Sequence, residues 1–192
     1  LLKSYFSLDN VLDGLFTIVK KLYGLSFILT KEIDTYHDEV NVYEVHKEGK
    51  FYALLYTDFF PRKGKRNGAW MTSYKSQNIS QRPHVSIVCN FPIPTKTKPS
   101  LLTFQEVTTL FHEFGHALHG ILANTTYSSL SGTSVYWDFV ELPSQIMENW
   151  CYQSEALDLF AKHHETNEVI PRKLIDKIKK AAYFQQGLQT LR

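Results

Sequence analysis

The stretch His112-Glu113-Phe114-Gly115-His116 (HEFGH) lies in the middle of a long helical pattern, and the rest of the chain is interpreted from it. Residues 101–123 read LLTFQEVTTLFHEFGHALHGILA, contain no proline and repeat apolar residues at helical spacing. Thr103 is a suitable N-cap, and Glu106 stands three residues later as its capping-box partner. The sequence therefore predicts a helix that begins near Thr103 and carries HEFGH along its length.

The two histidines of this segment are placed to share one ligand. Positions four apart lie on one face of a helix, so His112 and His116 can offer two imidazoles to one ion. Zinc held in this way keeps an open coordination position for water, and Glu113 beside it can take that water's proton. The pattern indicates a catalytic zinc site. Two core histidines on an amphipathic helix would look the same, so a third ligand has to decide.

Acidic residues downstream are the best candidates for the third ligand. A third histidine six residues beyond the second is excluded, because that position holds Leu122. The following segment YWDFVELPSQIMENW offers carboxylates, and spacing alone leaves Asp138, Glu141 and Glu148 open. A short connection would let the next helix fold back beside the first, so that one of these carboxylates completes the site.

Proline marks the start of this second helix. Pro143 fits the first turn of a helix, where its missing N–H is not needed. We therefore expect the helix to begin between Phe139 and Leu142, with Glu141 at its start. There the positive end of the helix dipole favours an ionised carboxylate, which a metal ligand requires.

The segments before residue 101 predict a helix and a small sheet. Residues 8–23 form an amphipathic helical pattern. Residues 25–60 change to β-rich or alternating patterns with a hairpin turn at Glu48-Gly49-Lys50, and residues 84–91 read as another strand. We predict an α+β, mainly helical fold. It has an N-terminal helix, a small antiparallel sheet within about residues 25–91, and helices over about 101–192, all in one unit of residues 1–192.

Composition excludes several classes of partner. The chain has 192 residues, 43% hydrophobic content and a net charge of +2, so we expect no nucleic-acid or membrane partner and no obligate protein partner. The basic loop at residues 61–68 (PRKGKRNG) is interpreted as a solvated rim. No apolar run approaches the length of a membrane span and no signal peptide is recognisable, and we expect a cytoplasmic location. Cys89 and Cys151 are expected to be buried free thiols.

Longer segments along the whole chain occur in an order that is characteristic of one family. They are YFSLDNVLDGLF (5–16), LYGLSF (22–27), YTDFFPRKGKRNGAWM (56–71), VCNFP (88–92), PSLLTFQEVTTLFHEFGHALH (99–119) and FVELPSQ (139–145). On these segments the chain resembles the thimet oligopeptidase and peptidyl-dipeptidase family of zinc metallopeptidases, and most closely its bacterial peptidyl-dipeptidase branch.

The resemblance implies a site and a reaction. It implies a gluzincin-type catalytic domain in which His112, His116 and Glu141 bind Zn²⁺ and Glu113 is the general base. The expected activity is hydrolysis of short peptides, with release of dipeptides from the carboxyl terminus. The alternatives are an oligoendopeptidase of the same family and a non-catalytic zinc-stabilised module.

The resemblance also implies a substrate cleft and a missing part. In the family, the segment that corresponds to Gly68 and Ala69 lines the substrate cleft. We therefore expect these two residues to border the peptide path, with the peptide adding as a strand to a free sheet edge. A segment with His and Tyr residues that stabilises the oxyanion in the family does not occur before Arg192. We therefore expect an internal fragment of a longer enzyme, with little or no peptidase activity by itself.

Overall fold

The computed structural model describes residues 2–184, 187, 188 and 191. In chain order the described residues form α1 Leu8–Tyr23, β1 Leu25–Thr30, β2 Asn41–Lys47, β3 Lys50–Asp58, β4 Trp70–Lys75, β5 His84–Val88, α2 Phe104–Ile121, α3 Leu142–Glu148, α4 Ser154–Phe160 and α5 Arg172–Tyr183. Short 3₁₀ segments occupy Leu2–Tyr5, Ser128–Leu130 and Asn149–Tyr152. The strands precede the helix that carries HEFGH, and the predicted α+β class is confirmed.

The sheet has five strands in the order β1-β2-β3-β5-β4. β2 and β3 form a tight hairpin in which both turn residues, Glu48 and Gly49, have positive φ (51° and 74°). The pairings β1–β2, β2–β3 and β4–β5 are antiparallel, whereas β3 and β5 pair in parallel. The prediction of an antiparallel sheet is therefore wrong at one pairing. The 25 residues between β3 and β5 are long enough for the crossover that parallel strands need, and β4 lies within them.

Helix α1 packs against the sheet through aromatic rings. It ends at Gly24, whose φ of 70° gives a left-handed C-cap, while Ser7 occupies the N-cap without a side-chain capping bond. Phe16 of α1 stacks on Phe27 of β1 with ring centroids 4.2 Å apart. Both rings also contact Phe114 of α2, which is fully buried. One residue of HEFGH is thus a core residue that fixes α2 against α1 and β1.

Helix α2 is held at its start and packed close to the sheet. The capping box between Thr103 and Glu106 is confirmed, because each residue bonds the other's backbone N–H. Further along, Gly120 lies against Met71 of β4 and Val85 of β5, where an added Cβ would approach the side chains to 2.8 and 3.0 Å. This close approach brings the HEFGH face of α2 beside β4.

Helix α3 lies directly against α2. It begins at Leu142, within the predicted range, and has Pro143 in its first turn. A Cβ added to Gly115 would lie 2.5 Å from the backbone oxygen of Pro143 and 2.5 Å from Ser144 Cα, so only glycine permits this contact. The two helix backbones therefore touch at Gly115, directly before His116, and the start of α3 falls beside Glu113 and His116.

Two further expectations can be compared with the fold. Cys89 and Cys151 are buried free thiols, as predicted. Within the described ranges, no helix combines the length and the apolar character needed to cross a bilayer.

Candidate metal centre

Three predicted ligands meet where α2 touches α3. The Oε2 atom of Glu141 lies 3.2 Å from Nε2 of His112 and 3.2 Å from Nε2 of His116. The two imidazole rings lie edge to face, with centroids 4.9 Å apart and an angle of 82° between their planes. The arrangement therefore places two nitrogens and one oxygen around a common point.

The position of Glu141 follows from the local structure of α3. Glu141 is the N-cap of the helix, and the single hydroxyl proton of Ser144 is shared between the Oε2 atom of Glu141 at 2.7 Å and the backbone oxygen of Glu141 at 2.9 Å. The hydrogen bond from Ser144 lowers the pKa of Glu141; burial opposes this shift, and the two histidines add to it. The carboxylate is thus held in its ionised form and aimed at the imidazoles. Ser144 is a contributor that the sequence did not single out.

The other side of His112 has an acidic partner of its own. Nδ1 of His112 lies 2.6 Å from Oε1 of Glu148, one helical heptad after Glu141. A carboxylate on the far ring nitrogen fixes the tautomer in which Nε2 carries a free lone pair. Glu148 is one of three acids that spacing allows as the third ligand. In the structure it instead orients His112 through the Nδ1 atom of the ring. Asp138, the remaining alternative, is exposed and lies outside the cluster of possible ligands among the described residues.

Glu113 lies next to the three predicted ligands but is more buried than they are, with 7% of its surface exposed. Burial raises its pKa above the ordinary value for glutamate; nearby His112 lowers it, Glu141 raises it, and a hydrogen bond with the backbone of Met71 lowers it. A carboxylate whose pKa is moved toward neutrality is suited to accept and return a proton.

A cleft of about 430 Å³ opens over these groups. One wall is formed by the start of β4, where Ala69, Trp70 and Met71 lie beside Glu113. The opposite wall comes from the segment before α3, with Thr133, Val135, Trp137 and Val140. β4 is the outermost strand of the sheet among the described residues and pairs with β5 alone. Gly68 has φ of +96° at the turn into β4 and does not itself line this cleft.

The side chains present fit a zinc ion. In a tetrahedral site with bonds of about 2.1 Å, ligand atoms stand about 3.4 Å apart. The two measured separations of 3.2 Å are close to that value. Burial lowers the pKa of His116, which favours its neutral ring. Neutral imidazoles and an ionised carboxylate are the forms that bind a metal.

A second cluster of possible ligands, His163-His164-Glu165, lies in the turn between α4 and α5. Nδ1 of His163 already accepts the backbone N–H groups of Glu165 and Thr166 at 3.3 and 3.4 Å. An accepting Nδ1 leaves the proton of the neutral ring on Nε2, so His163 lacks a free lone pair there. The cluster on α2 and α3 is therefore the better metal centre.

Comparison with known proteins places this site in context. The model of peptidase family M3 matches residues 1–192. Oligopeptidase A of Escherichia coli (strain K12) is 41% identical over 198 residues, covering 100% of this chain and 29% of that protein. Dipeptidyl carboxypeptidase of Salmonella typhimurium is 41% identical over 190 residues, covering 97% of this chain and 28% of that protein.

A plant relative extends the comparison. Organellar oligopeptidase A, chloroplastic/mitochondrial, of Arabidopsis thaliana is 40% identical over 203 residues, covering 100% of this chain and 26% of that protein. The chain thus spans under a third of the length of the relatives named here. The family match over every residue, together with these identities, means that the chain belongs to peptidase family M3.

Proposed function

We propose that residues 1–192 carry the catalytic zinc site of a gluzincin-type metallopeptidase. His112, His116 and Glu141 are the ligands, and Glu113 is the general base. The observation that carries this proposal is the carboxylate oxygen of Glu141, 3.2 Å from Nε2 of both histidines although it comes from a separate helix. Membership of a peptidase family supports the same assignment of a peptidase site.

Zinc, when bound, supplies a Lewis acid and lowers the pKa of a water molecule to about 7. The chain's own residues supply the proton transfers. Glu113 accepts a proton as water attacks the scissile carbonyl, and its raised pKa lets it return that proton to the leaving amine. Met71, whose backbone hydrogen-bonds this carboxylate, lines the same cleft.

The substrate class that fits the cleft is an extended peptide. β4 offers an unpaired strand edge among the described residues, and Ala69 directly precedes that edge beside Glu113. We propose that a peptide adds to this edge as a further strand, with its scissile bond over Glu113. Gly68 contributes by turning the chain into the edge, since its φ of +96° disfavours any side chain.

The mode of cleavage has two candidates. Release of dipeptides from a free carboxyl terminus agrees with the similarity to dipeptidyl carboxypeptidase, and internal cleavage of short peptides agrees with the similarity to oligopeptidase A. Peptides with free and amidated carboxyl termini separate the two, because only the first mode requires the terminal carboxylate. The absence of nucleic-acid, membrane and obligate protein partners, and the cytoplasmic location, stay predictions.

We also propose that residues 1–192 alone have little peptidase activity. Removing one oxyanion donor typically costs about 3–4 kcal/mol of barrier lowering. The chain covers 29% of the length of oligopeptidase A of Escherichia coli, and we propose that such donors come from outside residues 1–192.

The test compares Glu113→Gln with the wild type in the zinc-loaded full-length protein. We expect hydrolysis of an octapeptide to fall by about 10²–10⁴-fold while the zinc content stays at one ion. Glu155→Gln, on the exposed first turn of α4, makes the same chemical change away from the site and should leave the rate unaltered. Equal rates in Glu113→Gln and wild type would remove the general-base role. Zinc binding without hydrolysis in either protein would favour the non-catalytic module.

A further inference from the structure

The chain between β3 and β4 has to cross the end of a strand. β4 precedes β5 in sequence but lies outside it in the sheet. Residues 59–69 must therefore pass over the carboxyl ends of the parallel pair β3–β5 before β4 can begin. Parallel pairing continues past β5, because Cys89 N–H donates to Asp58 O at 2.8 Å and Phe91 N–H to Phe59 O at 2.8 Å.

A buried lysine anchors the first half of this crossing. The side chain of Lys65 is only 3% exposed, which corrects the expectation that its basic loop is a solvated rim. Four oxygens surround its Nζ within hydrogen-bond distance and share its three N–H groups: Oδ1 of Asp58 (2.8 Å) and the backbone oxygens of Asp58 (3.0 Å), Phe60 (2.7 Å) and Cys89 (2.6 Å). Lys65 thus links the carboxyl end of β3 to the carboxyl end of β5.

Asp58 is the acidic centre of this anchor. Arg62 donates to both of its carboxylate oxygens at 2.7 and 2.8 Å, and the hydroxyl of Tyr36 donates to Oδ2 at 2.9 Å. Burial raises the pKa of Asp58, but the hydrogen bonds from Arg62, Lys65 and Tyr36 outweigh it and bring the value down to about 2. Both carboxylate oxygens of Asp58 are therefore hydrogen-bonded, which ties the base of the loop to the end of β3.

A single amide anchors the second half. Nδ2 of Asn90, which follows β5 by two residues, donates to the backbone oxygen of Arg66 at 3.0 Å and to that of Gly68 at 2.8 Å. The guanidinium of Arg66 in turn lies 4.6 Å from the ring centre of Trp70. The two bonds of Asn90 therefore fix the last residues of the loop directly before Ala69.

We infer that Asn90 is a positioning residue for peptide binding: it holds the Gly68–Trp70 backbone in the position where a substrate strand can form hydrogen bonds with it beside Glu113. The inference rests on the proposed function of the β4 edge. Asn90 is not among the residues that line the described cleft, so it acts on the substrate through the loop. Loss of its amide should therefore weaken peptide binding and leave proton transfer and zinc binding nearly unchanged.

The experiment uses two substitutions in the full-length zinc-loaded protein. Asn90→Ala removes both donors. Asn90→Asp keeps the shape but presents a carboxylate to two carbonyl oxygens. We expect KM for an internally quenched octapeptide to rise about tenfold, as the loss of one or two hydrogen bonds predicts, with kcat changed less than threefold. Asn78→Asp is the matched control, because Oδ1 of Asn78 acts as an acceptor for Ser80 and the same change preserves that role.

A binding measurement keeps the inference separate from the proposed function. The dissociation constant of the same octapeptide is measured with Glu113→Gln alone and combined with each Asn90 change, so hydrolysis is not needed. Thermal melting identifies folded variants. A tenfold weaker binding in both folded variants supports the inference, even if the wild type proves inactive and the proposed function fails. Binding within twofold of the parent, a fall in kcat at constant KM, or no measurable binding to Glu113→Gln alone would overturn it.

Discussion

Replacing Gly115 by alanine tests the contact that brings Glu141 to the histidines. Gly115 is the residue of α2 that touches α3, and a Cβ there would lie 2.5 Å from both Pro143 O and Ser144 Cα. The obstructing atoms belong to the backbone, so no rotation of a side chain relieves the overlap. We expect α3 to move away from α2.

The size of the displacement follows from ordinary contact distances. A comfortable Cβ contact begins at 3.4 Å, so the two helices must separate by about 0.9 Å. Glu141 is the N-cap of α3 and moves with it. Zinc–ligand distances tolerate shifts of about 0.2 Å, so the carboxylate leaves its ligand position. We expect stability to fall by about 1–3 kcal/mol from overpacking, and zinc affinity by at least roughly 100-fold, the upper end of what loss of a supporting residue costs.

Competition with a chelator measures the affinity, and thermal melting measures the stability. Gly14→Ala is the matched control, because Gly14 lies as close to Phe160 where α1 meets α4, away from the metal centre. Both variants should melt at lower temperature, but only Gly115→Ala should lose zinc. A folded Gly115→Ala protein that binds zinc within threefold of the wild type would refute the claim that this contact places Glu141.

Three further predictions follow from contacts described above. Glu148→Gln removes the charge behind His112 and should weaken zinc binding by about 10–100-fold in chelator competition, whereas equal affinity would show that the 2.6 Å contact does not support the ligand. Thr103→Ala removes the capping box and should lower the free energy of unfolding by about 1 kcal/mol in urea, with zinc affinity unchanged; a loss below 0.2 kcal/mol, taken as roughly the scatter of such data, contradicts it. The pKa of Asp58 is lowered to about 2, so its contribution to stability is complete above about pH 4 and is lost as the pH falls toward 2. Over that pH range the free energy of unfolding, measured in urea, should fall by about 2 kcal/mol more in the wild type than in Asp58→Asn.

Local chemistry explains which parts of the structure were predictable. The capping box of Thr103 and Glu106, the helical start set by Pro143 and the left-handed cap at Gly24 are each determined by a few neighbouring residues. Spacing of His112 and His116 then limits where a third ligand can stand. These features need no knowledge of distant parts of the chain.

Long-range contacts were not predictable, because they depend on residues that are far apart in the sequence. The parallel pairing of β3 with β5 and the hydrogen bond between His112 and Glu148, 36 residues apart, have no local pattern. Lys65 looked solvent-exposed because charged residues in a glycine-containing loop usually are, and only the crossing over β5 explains its burial. Ser144 could have been found from its position three residues after Glu141, a common spacing for a hydroxyl that reaches back to a helix start.

The placement of β4 outside β5 also constrains the order in which the molecule can be built on the ribosome. Trp70–Lys75 is synthesised before His84–Val88, its neighbour in the sheet, and a strand without a neighbour is marginally stable at best. The α2 and α3 helices emerge later still. A nascent chain therefore lacks the β4 edge until Val88 has been synthesised, and it lacks a complete set of metal ligands until Glu141 has been synthesised. Vectorial synthesis itself thus delays the appearance of a hydrolytic centre.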